Sequence, residues 1–351
     1  MNTEIAVLTA DTDKNEEILA RGAEIIRAGG LVAFPTETVY GLGANALDAK
    51  AASKIYAAKG RPSDNPLIIH LAKAADAELY AHVPTAYGEL AKAFLPGPLT
   101  VIMEKRDNIP REVTGGLDSV AVRVPSHPAA RRLIELAGVP IAAPSANLSG
   151  RPSPTEAAHV IEDLSGRVDM IIDGGSSEIG LESTIIKLDG GKATLLRPGG
   201  VTLEELSAIL GDIGVDKAVT EKLAEGEHPL APGMKYRHYA PRAPLTLVDG
   251  CDDDFYGLVS REASEPGVAV IVYDEDIETL AHFDINKENL LTLGAKSDVS
   301  SHASRLFSLL RKCDDRKYTK IYARLPSQTG LSLALYNRII KAAGYSVVTF
   351  R

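Results

Sequence analysis

Leu31-Val32-Ala33-Phe34-Pro35-Thr36-Glu37-Thr38-Val39-Tyr40-Gly41-Leu42-Gly43 changes character at its proline. The first four residues are apolar and read as a buried strand; hydroxyls, a carboxylate, a tyrosine and two glycines follow. A strand emptying into such a run predicts a polar loop whose backbone approaches a ligand closely, because glycine has no Cβ in the way. The spacing fits neither GxxxxGK[ST] nor GxGxxG, so no standard phosphate loop is present. Taken alone, the stretch predicts a ligand loop and no more.

On either side of this stretch the chain alternates helix-like and strand-like segments. Asn15 is the expected cap of a helix carrying Ile18, Leu19, Ile25 and Ile26, ended by Gly29-Gly30. Strands are predicted at 67–71, 99–104, 119–124, 141–143, 168–172, 183–188 and 193–196, with a helix opening at Pro128. Ser153-Pro154-Thr155-Glu156 reads as a capping box with proline at the first helical position. The fold class is therefore α/β, a twisted mixed sheet with flanking helices. Residues 211–230 are charged and weakly periodic, and Ala231-Pro232-Gly233-Met234-Lys235-Tyr236-Arg237-His238-Tyr239-Ala240-Pro241 is too aromatic for a flexible Gly/Ser linker. After Pro241 apolar strands at 245–248, 268–273, 290–293, 321–325 and 347–350 alternate with helices, which predicts a smaller, mainly parallel Rossmann-like α/β domain. The expected division is 1–206, a linker or lid at 207–241, and 242–351.

Composition narrows the class. The chain has 351 residues, 45% hydrophobic and 24% charged, as in a soluble globular protein of two domains. A net charge of -9 argues against broad, non-specific nucleic-acid binding, and the absence of Trp argues against a base-stacking platform. No apolar run spans a membrane, and Met1-Asn2-Thr3-Glu4 does not open a secretory signal, so a cytoplasmic protein is expected. Cys251 and Cys313 make neither a disulfide framework nor a metal motif.

Lys59, Arg61, Arg123 and Arg197 recur at the ends of buried runs. Each alone reads as a cap or a surface ion pair; four together in an acidic protein point to an anionic ligand such as a nucleotide. Alternation puts Arg123 on one face with Ala121, where a charge needs an anion. Pro144-Ser145-Ala146-Asn147-Leu148-Ser149-Gly150 is either a turn or a second polar loop. Ser153 is a helix cap or a ligand hydroxyl, His70 a structural residue at a strand end, and Ser183-Thr184 either strand formers or hydroxyls for a small ligand. No GxSxG or nucleophilic cysteine setting supports a covalent mechanism.

As an ordered set, Pro35–Gly43, Lys59-Gly-Arg-Pro62, Asn65-Pro-Leu-Ile-Ile-His70, Pro96-Gly-Pro-Leu-Thr100, Val120–Pro125, Ala143–Asn147, Ser183-Thr184 and Leu196-Arg-Pro-Gly199 closely resemble the YrdC-like threonylcarbamoyl-AMP synthases. The linker and second domain resemble the two-domain type of that family. The resemblance implies a nucleotidyltransferase that joins L-threonine, bicarbonate and ATP, with Mg²⁺ riding on the ATP phosphates and no protein metal site. A downstream threonylcarbamoyl transferase complex would act on tRNA, so stable tRNA binding is not required of this chain. The carry-over places Thr38, His70, Arg123, Ala143 and Ser183 around threonine. It places Arg61, Asn65, Ser119, Ser145, Ser153, Arg197, His238 and Tyr236 around ATP. Lys59 and Arg61 would stabilise charge in the reaction. The rival readings are an RNA-docking domain without chemistry, another carbamoyl-activating enzyme, and a nucleotide sensor.

Overall fold

The computed structural model describes residues 2–222, 229–234, 239–283 and 285–350. They divide into two units, Met1–Ser149 with Ser153–Lys235, and Gly150–Pro152 with Tyr236–Arg351.

The first unit is built on one mixed sheet. Its strands are β1 (Glu4–Val7), β2 (Val32–Phe34), β3 (Gly41–Asn45), β4 (Ile68–His70), β5 (Leu99–Glu104), β6 (Ser119–Arg123), β7 (Ile141–Ala142), β8 (Met170–Asp173), β9 (Thr184–Asp189), β10 (Lys192–Arg197) and β11 (Gly214–Val215). Their order across the sheet is β1-β8-β2-β3-β7-β4-β6-β5-β9-β10-β11. Helices Thr12–Arg27 and Pro128–Ala137 cover one end, where Leu19, Ala23, Ile26, Leu133 and Ile134 bury their apolar stripes against Val32, Phe34 and Met170.

Three expectations are corrected here. Gly41 to Gly43 is not loop but strand β3, antiparallel to β2 with Val32 opposite Gly43. A Cβ on Gly43 would stand 2.7 Å from Ile141 Cγ2 and 2.8 Å from Phe34 Cε1, so this glycine lets two strands and an aromatic ring close together. The first helix is capped by Asp11, whose carboxylate accepts from the Asp13 and Lys14 amides; the Asn15 side chain instead ties back to Thr9. Ser153 caps nothing: the helix starts at Ala157, and the Ser153 hydroxyl donates to Glu182 Oε1 at 2.5 Å.

The second unit holds β12 (Leu245–Asp249), β13 (Val268–Val272), β14 (Leu290–Thr292), β15 (Lys320–Arg324) and β16 (Val347–Thr349), all parallel, in the order β14-β13-β15-β12-β16. This differs from the usual dinucleotide-binding order, because the fourth strand of the unit separates the first two. Phe255 and Val259 of helix Asp252–Glu262 and Leu280 of helix Asp274–Leu280 pack with Val268, Val270 and Val272 on one face. Helices Val299–Asp315 and Gly330–Ala342 pack together and line a cavity with Ile271 on the other. Parallel strands covered on both faces must be apolar throughout, which is why Val268-Ala-Val-Ile-Val272 shows no alternation and is buried at every position.

Candidate active site

The centre of the first sheet decides the site. β4 and β6 run parallel with Ile68 beside Ala121 and His70 beside Arg123; β5 runs antiparallel to β6 with Thr100 opposite Arg123. Alternation sends these side chains out of one face, with Ser119 four residues before Arg123 on that face too. Arg123 is 4% exposed, and a guanidinium so deep needs a counter-charge. Glu37, from the Pro35–Gly43 stretch, supplies it: Arg123 Nη2 donates to Glu37 Oε1 at 2.7 Å. Burial pushes the Glu37 carboxyl up, but the charge and hydrogen bond of Arg123 more than reverse this and hold it below the ordinary carboxylate range. Arg123 Nε finds no hydrogen-bond partner among the described residues.

His70 completes this corner. Its ring is buried, and burial followed by the nearby Arg123 charge drives its pKa down to about 3, so it is neutral at any working pH. Nδ1 lies 3.2 Å from the Ile68 carbonyl. A carbonyl only accepts, so Nδ1 carries the proton and Nε2 keeps its lone pair.

Hydroxyls line the same region. Thr36 Oγ1 and Thr38 Oγ1 are 2.9 Å apart, and Thr36 Oγ1 also accepts from the Thr38 and Val39 amides, fixing the turn after Pro35. Thr100 Oγ1 and Ser183 Oγ are 2.7 Å apart, both fully buried. Arg197, at the end of β10, donates to the Ser183 carbonyl through Nε at 3.1 Å and Nη2 at 3.0 Å, and to the Pro232 carbonyl through Nη1 at 3.2 Å. Ala143 is joined to β4 by its amide, 2.9 Å from the Ile68 carbonyl.

A second group gathers beside the start of β4. Lys59, 2% exposed at the end of helix Ala49–Lys59, donates to the carbonyls of Ser145 and Asn147, so it organises the 144–150 loop. Ser145 Oγ donates to Asn147 Oδ1 at 2.5 Å. Arg61 donates to the Asn65 carbonyl at 3.2 Å and the Pro66 carbonyl at 3.0 Å, and Asn65 Oδ1 is buried without a partner among the described residues. The β4–β6 register, run back two residues, sets Ser119 level with Pro66. Ser119 and Arg123 are then ~13 Å apart along one strand face, from the rise per residue. Thr38, His70, Arg123 and Ser183 fall towards one end of this face, and Arg61, Asn65 and Ser119 towards the other. Between the two ends the face is apolar: Ile68, Ile102, Ala121 and Ile185 pack with Leu196, Ala218, Ala231 and Met234. Tyr236 and His238 lie outside the described residues.

Two side chains were missed by sequence reasoning. Glu37 sits inside the Pro35–Gly43 stretch, and its signal was a single carboxylate among hydroxyl and apolar residues. Thr100 closes Pro96-Gly-Pro-Leu-Thr and had no signal of its own, because only sheet register brings it to Ser183 and Arg123.

A family model described as "Telomere recombination" (Sua5, yciO, yrdC) matches residues 24–199, and one described as "Threonylcarbamoyl-AMP synthase, C-terminal domain" matches residues 201–344. A threonylcarbamoyl-AMP synthase of Pyrococcus abyssi is 47% identical over 327 residues, 93% of this chain and 94% of the relative. One of Bacillus subtilis is 44% identical over 345 residues, 97% of each chain. The crystal structure of P. abyssi Sua5 complexed with L-threonine superposes with a TM-score of 0.88 at 43% identity, covering 100% of both chains. Matched in both of its units and along its whole length, this chain belongs to the two-domain Sua5 branch of the Sua5–YciO–YrdC family, the threonylcarbamoyl-AMP synthases.

Proposed function

We propose that the protein is an L-threonylcarbamoyladenylate synthase, a nucleotidyltransferase that works in the cytoplasm on L-threonine, bicarbonate and ATP. The observation that carries the reading is the buried Arg123–Glu37 pair beside neutral His70, in a chain 43% identical to a Sua5 whose structure contains L-threonine. Arg123 binds the threonine carboxylate, a planar anion suited to its fork of donors. His70 Nε2, Thr38 and Ser183 read the substrate's polar groups, and Ala143 bounds it. A neutral His70 accepts a hydroxyl hydrogen without adding a second positive charge beside Arg123.

The threonine amine and bicarbonate give a carbamate and water. A carbamate oxygen attacks the α-phosphorus of ATP, the bond from that phosphorus to the bridging oxygen breaks, and pyrophosphate leaves. The nucleophile is the substrate's own, so the protein contributes position and charge stabilisation. Arg61, Asn65, Ser119, Ser145, Ser153 and Arg197 contact ATP, while Lys59 and Arg61 stabilise charge on the phosphate chain. Mg²⁺ would neutralise charge on the ATP phosphates when it enters with ATP; the buried carboxylates Glu37 and Glu182 already serve Arg123 and Ser153. The product passes to a tRNA-modifying transferase complex that installs the threonylcarbamoyl group at adenosine 37 of ANN-decoding tRNAs.

The test is pyrophosphate release from ATP and Mg²⁺ with threonine and bicarbonate each supplied or omitted. Release that depends on both is expected. Release indifferent to threonine, or ATP binding with no release, would overturn the assignment.

A further inference from the structure

The second unit has a cavity of about 430 Å³ that the reaction above does not use. It opens at the carboxyl ends of β12, β13, β14 and β15, since its walls include Val248, Ile271, Leu293 and Ala323. That is where open α/β sheets take ligands, provided neighbouring strands send their helices to opposite faces. They do: the helix after β13 packs with Val270 and Val272, whereas the helix after β15 shares the cavity with Ile271. The volume lies in the range of small-molecule sites.

The lining selects a ligand class. The cations at the mouth are already matched. Arg324 pairs with Asp252 at 2.9 Å and Asp276 at 2.8 Å and lies 3.9 Å from the Phe255 ring centre, while Lys296 pairs with Asp252 at 3.0 Å. The starts of helices Val299–Asp315 and Gly330–Ala342, which also line the cavity, carry no carboxylate in their first turns, but the start beside Asp249 carries Asp252-Asp253-Asp254. Carboxylates there compensate the helix dipole and repel an incoming anion. A phosphate is therefore disfavoured at the Asp249 end of the cavity. The inner wall is apolar, from Ile271, Leu306, Leu335 and Ile339, and one side is a ring pair, Tyr273 and His302, with centres 4.7 Å apart. Asp249, on the rim, has no ion-pair partner among the described residues, and Ser327 and Ser332 add hydroxyls. A flat heteroaromatic body with a donor-rich, uncharged end satisfies all three surfaces. We infer that this cavity is a nucleoside site, distinct from the ATP-using site: the base stands against Tyr273 and the apolar wall, and the ribose hydroxyls donate to Asp249.

The experiment is hydrogen–deuterium exchange on the full chain with millimolar adenosine, guanosine, cytidine or uridine, and with AMP for comparison. At least one nucleoside is expected to slow exchange across 249–254 and 324–333, with its monophosphate at least about tenfold weaker at the same segments. Ser332→Trp, which fills the cavity from a half-buried position, abolishes the protection. Asp249→Asn, at an exposed position, weakens it about tenfold. The inference fails if no nucleoside protects those segments, if AMP protects them as well as adenosine does, or if Asp249→Asn has no effect. Pyrophosphate release by the same variants is read in parallel, so that loss of this site and failure of the synthase reading are told apart.

Discussion

Arg123 ends β6 in the first unit and Arg324 ends β15 in the second. Both are largely buried, and both hold a carboxylate. Arg123 meets one, Glu37, and keeps a buried Nε without a partner among the described residues. Arg324 meets two, Asp252 and Asp276, and rests on an aromatic face. The count of counter-charges separates their work. A guanidinium with one carboxylate retains donors for a second anion, which in the proposed function is the threonine carboxylate. A guanidinium with two is electrostatically closed and serves the fold. Burial alone does not mark a catalytic arginine; the unmatched part of its charge does.

Four measurements test that contrast. The largest effect is expected from Arg123→Ala, which should lower kcat/KM for threonine by about a hundred- to a thousandfold. The double variant Arg123→Met with Glu37→Gln removes the orphaned charge as well; it should recover melting temperature but not activity, separating binding from stability. Next is Arg324→Ala. Leaving Asp276 buried without its cation should cost about 3 kcal/mol in chemical denaturation while the threonine KM stays put. A matching rise in KM would end the comparison.

Acid stability comes third. His70 has its pKa depressed from the ordinary value to about 3, so the unfolded chain takes up its proton first as pH falls. Its contribution is whole above about pH 6.5 and is lost between there and about pH 3, at up to ~1.4 kcal/mol per pH unit. Urea unfolding of wild type and His70→Gln between pH 7 and pH 4 should diverge in slope; parallel curves would place a charged histidine in the fold. The smallest effect is that of Thr100→Val, which deletes the hydroxyl facing Ser183 and should raise the threonine KM about fivefold.

Much of the molecule was open to a reader of the amino acids. Runs such as Leu99–Glu104 and Val268–Val272 are apolar enough, and bounded sharply enough, to be strands in any context, and the observed elements begin and end within a few residues of those readings. Ordered loop motifs carried the family as well. Local chemistry misled where a tertiary partner outbid it. Gly41-Leu42-Gly43 has loop composition but is held as strand by Phe34 and Ile141, and Ser153 has a capping sequence but answers to Glu182.

What the amino acids determined by themselves was therefore the α/β class, the identity of the polar loops, and the oddity of a charge at Arg123 in an apolar strand. Tertiary structure alone decided which partners those charges meet. The Glu37–Arg123 pair spans 86 residues of chain and the Thr100–Ser183 contact 83; sheet register, a cooperative property of many strands, places Arg123 opposite Thr100, and the segments leaving β2 and entering β9 bring Glu37 and Ser183 to them. Periodicity reports on the face a residue occupies. It carries no information about which distant residue stands opposite, and the chemistry of this site lies in those pairings.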